Sequence, residues 1–311
     1  MNLNHSFSPI YSGKRIFLGL KDLVVSFYTA KCPYNCSYCN LSMKSHPENI
    51  CAKTIKNQID QVLNDYKDDL PSFQLLSVGN EGSILDRKRF PKEAFDYLIG
   101  QLKNFPSLEI LSLETRPEYI TLSIINQIKM ETDLPLIDFT IGFETQDDYL
   151  REVVLNKTLK KHIVEEKIKL LGECGARLTS YVMLKPGPTM TEHEGIKEAI
   201  RTIEYLKEQC EKTNTSLVIY LNPVYVAKGT PLSQQCALYN YTPPRIQSII
   251  EVIAGTRHFN VPIYTGLWSE DNAQEKGDYL CLETNNNAIR KALIEYNKYQ
   301  NYDDILSFVK N

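Results

Sequence analysis

Seven short β-branched or apolar runs recur along the chain, at residues 23–29, 73–78, 108–114, 136–144, 177–184, 216–222 and 261–267. Runs of this length and composition read as strands buried on both faces. The segments between them place apolar residues at helical spacing. Examples are Phe95, Leu98, Leu102 and Phe105, and then Ile196, Ile200, Ile203 and Leu206, so each segment has one apolar face. Strand and helix therefore alternate. Parallel strands need connections that run outside the sheet and cross over right-handedly, so six or seven such units imply an α/β fold, a parallel sheet curled into a full or partial TIM-type barrel. In that architecture chemistry collects at the C-terminal ends of the strands. Several runs end there in residues too polar for a core: Gly79 and Glu81, Glu114 and Arg116, Glu144, Lys185, and Asn222. Converging on one barrel mouth, these outline a site for a polar, charged ligand.

The 311 residues suit one such barrel, and no low-complexity tract, long linker or internal repeat divides them. Lys and Arg total 35 against 38 Asp and Glu, a net charge of −3, which offers no general attraction to a phosphate backbone or an anionic lipid surface. A nucleic-acid substrate would need a local basic patch. The most basic short stretch, residues 85–89, reads as a solvated helix start, and most of the 19 tyrosines fall at core or helix-face positions. The first ten residues lack the basic start and apolar run of a secretory signal, and no run of about eighteen apolar residues follows. The expectation is a cytoplasmic protein without a membrane partner.

Three of the eight cysteines, Cys32, Cys36 and Cys39, fall within eight consecutive positions after the first strand run. In a reducing compartment a tight cluster of this kind points to metal. The other five are scattered. Cys51, Cys174, Cys210 and Cys236 read as small core residues, and Cys281 stands apart as either a radical partner or a packed thiol. Three thiolates spaced Cys-x-x-x-Cys-x-x-Cys can wrap a cubane cluster while leaving one iron open to substrate or cofactor. The competing readings are a zinc site that recruits His46 as its fourth ligand, and an inert loop.

This spacing, with the aromatic Tyr38 just before the third cysteine, resembles the radical S-adenosylmethionine superfamily, over about residues 23–225. The resemblance implies a partial (β/α)6 barrel over residues 1–230, with residues 231–311 as a short C-terminal extension packed on it. It also implies a [4Fe-4S] cluster on Cys32, Cys36 and Cys39, S-adenosylmethionine on the open iron, and an electron donor such as flavodoxin or ferredoxin. Val78-Gly79-Asn80-Glu81 is similar to the family's Gly-Gly-Glu strand end, with its first glycine replaced. Gly79 and Glu81 would there meet the methionine ammonium, since a cation needs acceptors and a glycine lets backbone carbonyls approach. Four further motifs resemble the elongator catalytic-subunit-like and archaeosine-forming subgroup. They are Leu113-Glu114-Thr115-Arg116-Pro117-Glu118, Gly142-Phe143-Glu144-Thr145, the run Tyr181 to Pro186, and Asn222-Pro223-Val224 followed by Lys228-Gly229-Thr230. A guanidinium suits a carboxylate, so Arg116 is assigned the methionine carboxylate, and Glu114 or Glu144 the ribose hydroxyls or ammonium. The alternative for Glu114 and Arg116 is a mutual ion pair. Lys185, ahead of a Pro-Gly-Pro turn, is assigned to a substrate anion or the adenosyl group, against a solvated loop lysine. Asn222 is assigned an amide contact to adenine or substrate, against a plain turn residue.

The chain also departs from these relatives. About eighty residues follow Gly229, too few for an acetyltransferase domain, so acetyl transfer is not expected. The stretch at residues 280–283 has a single cysteine, Cys281, which argues against a second cluster. The expected activity is reductive cleavage of S-adenosylmethionine to a 5′-deoxyadenosyl radical that modifies a small biosynthetic molecule. The alternatives are modification of a tRNA base by the same chemistry, or a non-catalytic iron–sulfur or zinc-binding protein.

Overall fold

The sequence runs become strands whose neighbours cover both faces, so side chains of either parity are buried. A computed structural model describes residues 8–43, 45–267, 279–280 and 286–309. Among the described residues the strands are β1 (Tyr11–Phe17), β2 (Leu20–Phe27), β3 (Leu75–Asn80), β4 (Ile110–Glu114), β5 (Leu136–Glu144), β6 (Arg177–Leu184), β7 (Ser216–Pro223), β8 (Val226–Ala227), β9 (Ile263–Thr265) and β10 (Tyr279–Leu280). The larger sheet has the order β1-β2-β3-β4-β5-β6-β7-β9, and β8 pairs with β10. The helices are α1 (Ala52–Asp65), α2 (Lys92–Gln101), α3 (Leu122–Glu131), α4 (Lys161–Glu173), α5 (Glu192–Lys212), α6 (Pro231–Leu238), α7 (Ile246–Thr256), α8 (Asn287–Tyr299) and α9 (Asp303–Leu306). Strand followed by helix repeats from β2 to β7, which is the partial TIM-type barrel expected. Among the described residues no helix is long and apolar enough to cross a membrane.

By compactness the chain forms two units. The first comprises Met1–Pro33, Leu41–Ile141 and Cys174–Arg177. It opens with a hairpin that the buried-run pattern misses: β1 pairs antiparallel with β2 from Tyr11↔Ser26 to Phe17↔Leu20. The two-residue turn Leu18-Gly19 has φ of 50° and 85°, as a turn of the primed type requires, and only the second position carries the expected glycine. From β2 onward the pairing is parallel, and five of the six β3 residues are buried. One register layer is polar. Ser77 pairs with Ser112 and Ser112 with Asp138, whose carboxylate accepts from Ser112 Oγ at 2.6 Å and Arg177 Nε at 2.6 Å. Nearby, Arg15 Nε donates to the fully buried Asp22 at 2.6 Å, and Ser77 Oγ donates to it at 3.0 Å.

The second unit comprises Tyr34–Asn40, Gly142–Glu173 and Leu178–Asn311. Its longest helix, α5, starts on a capping box in which Thr191 and Glu194 satisfy each other's backbone N–H groups, and it buries Ile196, Ile203 and Leu206. Thr230 caps α6 with Pro231 in the first turn, and Asn286 caps α8. β9 adds parallel to β7 from Ile219↔Ile263 to Leu221↔Thr265.

Two expectations give way. Residues 85–89 form turns rather than a helix, with Leu85 and Asp86 buried and the Arg87 guanidinium 4.0 Å from the Phe95 ring centroid. Cys51 is exposed just before α1, whereas Cys210 and Cys236 are buried as expected and Cys174 is half-buried.

Candidate functional site

In the first unit the polar residues gather at the C-terminal ends of β2, β3 and β4. The chain leaves β2 through Thr29, which Asn80 Nδ2 reaches at 3.1 Å, and arrives at Cys32. Gly82 faces that cysteine: a Cβ there would stand 3.5 Å from Cys32 Sγ. Gly79 likewise makes room for Glu114, since an added Cβ would lie 3.1 Å from Glu114 Cβ and 3.2 Å from its Oε2. Glu81 is buried to 1% exposure. Asn80 Oδ1 is buried without a hydrogen bond among the described residues. An acceptor left open in this segment fits a ligand that brings an ammonium. Arg116 is buried and its guanidinium forks onto the Glu118 carboxylate, a neighbour that the sequence reading did not assign to it, while its backbone N–H donates to Ser83 Oγ at 2.7 Å.

In the second unit Tyr38, Glu144 and Lys157 form a closed triangle. The Tyr38 hydroxyl donates to Glu144 Oε1 at 2.9 Å, and Lys157 Nζ donates to that same oxygen and to the Tyr38 hydroxyl oxygen, each at 2.7 Å. Burial raises the Tyr38 phenol well above its ordinary range, and the negative charges of Glu144, Cys36 and Cys39 push it the same way. Tyr38 therefore stays a neutral donor. Both donors reach Glu144 through the one oxygen, Oε1. The glycine of Gly142-Phe143-Glu144-Thr145 has a steric reason: a Cβ on Gly142 would stand 2.5 Å from both Glu144 Oε1 and Lys157 Nζ. Lys157 escaped the sequence reading. Its only signal there is its place in a short polar run, Asn156-Lys157-Thr158, between two segments rich in apolar residues.

Lys185 sits just beyond β6 with φ 63°, and it is buried rather than solvated. Its Nζ donates to Thr242 O at 2.8 Å and Glu192 Oε2 at 3.2 Å, while Tyr241 OH donates to its carbonyl at 2.8 Å. Gly195 of α5 permits this placement, since a Cβ there would be 2.6 Å from Lys185 Cβ. Lys185, Glu192, Tyr239, Tyr241 and Arg245 line an open pocket of about 810 Å³. Asn222, near the end of β7, is approached by the backbone of Gly266, where a Cβ would fall 2.2 Å from Asn222 Oδ1. Cys281 lies outside the described residues.

Among the described residues no three His, Cys, Asp or Glu side chains converge on a site for a single ion. His46 uses Nδ1 locally, 2.8 Å from Glu48 O and 3.1 Å from Glu48 N. A cubane cluster makes a different demand, because each thiolate binds its own iron and the three sulfurs need not meet at one point.

No family model matches the chain. It is 28% identical over 246 residues to an uncharacterized protein of Methanocaldococcus jannaschii, a match covering 77% of this chain and 66% of that protein. It is 24% identical over 249 residues to archaeosine synthase subunit beta of Methanosarcina acetivorans (78% and 69%) and 22% identical over 237 residues to that of Thermococcus kodakarensis (74% and 68%). The matches thus span about two thirds of these relatives. Among solved structures, spore photoproduct lyase complexed with dinucleoside spore photoproduct aligns with a TM-score of 0.54 at 12% identity, covering 78% of this chain and 75% of the other. The Elp3 of Methanocaldococcus infernus aligns at 0.52 and 16% (89% and 63%), and SuiB of Streptococcus suis bound to S-adenosylmethionine at 0.52 and 13% (78% and 51%). The chain has the partial-barrel fold of radical S-adenosylmethionine enzymes, and in sequence it is similar to the archaeosine synthase beta subunits.

Proposed function

We propose that the chain is a radical S-adenosylmethionine enzyme that modifies a small biosynthetic molecule. The observation that carries this is the Cys32, Cys36, Cys39 spacing on the loop after β2 of a radical S-adenosylmethionine fold. The three thiolates would hold a [4Fe-4S] cluster whose fourth iron takes S-adenosylmethionine. Once reduced, by a donor such as flavodoxin or ferredoxin, that pair supplies a 5′-deoxyadenosyl radical. The chain's own part is to bind and orient. Asn80 Oδ1 and the Gly79 to Glu81 strand end offer acceptors to an ammonium. Glu144, whose Oε1 accepts from Tyr38 and Lys157, would offer its carboxylate to a hydroxyl or ammonium donor. Glu114 would add an acceptor pair beside the Gly79 to Glu81 strand end, and Arg116 would have to release Glu118 to take a ligand carboxylate.

The small-molecule reading is supported by the net charge of −3, by the dispersed basic residues, and by the pocket of about 810 Å³ beside Lys185, the size of a metabolite site. RNA is the second reading, favoured by the similarity to archaeosine synthase subunit beta. Anaerobic reconstitution with iron and sulfide, followed by mass spectrometry for 5′-deoxyadenosine, tests the proposal. About four iron per chain with equal sulfide and formation of 5′-deoxyadenosine support it; one zinc per chain and no cleavage refute it. Filter binding to bulk tRNA, with its salt slope, separates the two substrate readings.

A further inference from the structure

The turn that follows β5 is gripped from two sides by buried charges. Glu144 itself has φ 71°, a left-handed conformation that crowds the Cβ of a long side chain against its own backbone. Such a conformation persists where the surroundings over-determine it. On one side stands Arg151, fully buried in a π-helical turn at Leu150–Val154. Its Nη1 donates to Thr145 O at 3.0 Å and Gln146 O at 3.3 Å, its Nε donates to Leu159 O at 2.7 Å, and its Nη2 reaches the Asp148 carboxylate. One guanidinium thus ties together both ends of the segment 144–159. Its backbone carbonyl also accepts the Lys157 N–H at 3.0 Å, and Asn156 and Thr158 on either side of Lys157 are left-handed, with φ of 47° and 48°.

On the other side stands Glu198 of α5, itself buried. It accepts from Thr145 Oγ1 at 2.6 Å, from Gln146 Nε2 at 3.2 Å, from the Asp147 N–H at 3.2 Å and from Thr202 Oγ1 at 3.2 Å. Neither charge meets the other, and most of their partners belong to the turn. An apolar pair of similar volume would fill the same space without desolvating two ions, so packing alone gives no reason for them. What the charges fix is where the chain turns, and on that turn ride Glu144 and Lys157.

We propose that Arg151 and Glu198 are positioning residues, a two-sided clamp that aims the Glu144 carboxylate and the Lys157 ammonium at one ligand. The ligand is S-adenosylmethionine, which rests on the functional reading above; the clamp itself does not. A lysine cannot bridge two ends of a segment as the planar guanidinium does, so Arg151→Lys keeps the charge and loses the clamp.

The reconstituted wild type, Arg151→Lys and Glu198→Gln are compared by iron content, by the affinity for S-adenosylmethionine in equilibrium dialysis, and by acetylation of Lys157 followed by mass spectrometry without the ligand. We expect Arg151→Lys to keep its iron, to bind S-adenosylmethionine at least tenfold more weakly, and to expose Lys157 to acetylation several-fold faster while Lys14 and Lys92 are unchanged. Glu198→Gln should move the same two readouts in the same direction. Unchanged Lys157 labelling with affinity within twofold of wild type overturns the clamp, and if Arg151→Lys does not fold, Glu198→Gln decides by the same criterion. A wild type that holds its iron and does not bind S-adenosylmethionine refutes the functional reading instead. The clamp is then judged on Lys157 labelling alone.

Discussion

Replacing Glu144 by Gln and Lys157 by Met, singly and together, tests whether the triangle with Tyr38 is an energetic unit. The Lys157 and Glu144 side chains are 9% and 5% exposed, and their charged atoms are 2.7 Å apart. With charge centres about 4 Å apart and an effective dielectric near 20, their attraction is about 4 kcal/mol. Removing one member leaves the other charge buried without its counterion, which costs about 3–5 kcal/mol. Each single variant should therefore lose roughly that much. The double variant exchanges both charges for neutral groups of similar volume and should lose less than the sum of the singles by at least about 2 kcal/mol. At about 2–4 °C per kcal/mol for a chain of this size, each single should melt roughly 6–20 °C below wild type. Thermal melts of the apoprotein followed by circular dichroism would show this. If the double variant's loss equals the sum of the singles within about 0.5 kcal/mol, the two residues do not act as a pair and the reasoning fails.

Other perturbations probe separate links. Gly142→Ala places its Cβ 2.5 Å from both Glu144 Oε1 and Lys157 Nζ, so it should push their buried ion pair apart and lower the melting temperature in the same direction as the single variants above. A drop in S-adenosylmethionine affinity of roughly tenfold is expected beside it; unchanged affinity would count against the site. For Asp22, burial raises the carboxyl above its ordinary range despite Arg15, so the folded chain binds that proton more tightly than the unfolded chain. Its ionised form thus subtracts stability at neutral pH, and this is relieved as pH falls through the raised value. Asp22→Asn should match or exceed wild type at pH 7.5 in urea, with the difference narrowing toward pH 4.5. A clear loss at pH 7.5 would show that the Arg15 pairing outweighs burial. The hydrogen bond with Thr54 lowers the thiol of exposed Cys51, whereas burial pushes Cys210 up to about 12 and Cys236 to about 11. Iodoacetamide at pH 8 should therefore label Cys51 well before either buried thiol, as read by peptide mass spectrometry. Simultaneous labelling would mean that the protein opens under the assay conditions.

The parts of this chain legible in its sequence are those where a residue's type follows from its immediate neighbours. β5 and β6 run from Leu136 to Glu144 and from Arg177 to Leu184, the bounds read from the apolar pattern, because apolar and β-branched residues dominate both runs, while the polar Asp138 and Arg177 satisfy each other. β1 was hidden for the opposite reason: Tyr11–Phe17 mixes glycine, lysine and arginine, and only its pairing with β2 makes it a strand. Leu85 and Asp86 show a third case, in which a charge-rich stretch is drawn into the interior by tertiary packing that composition does not record. The same division runs through the site. Glu144 could be read because it ends a strand run. Lys157 and Arg151 could not, since their meaning depends on a π-helical turn and on left-handed residues that no periodicity encodes. Glu198 was least visible of all, a glutamate on the long helix α5 that pattern reading assigns to solvent and packing assigns to Thr145. Charged residues read as solvated by default, and nothing in the sequence around Arg151 and Glu198 marks them as the buried charges that hold the turn carrying Glu144 and Lys157.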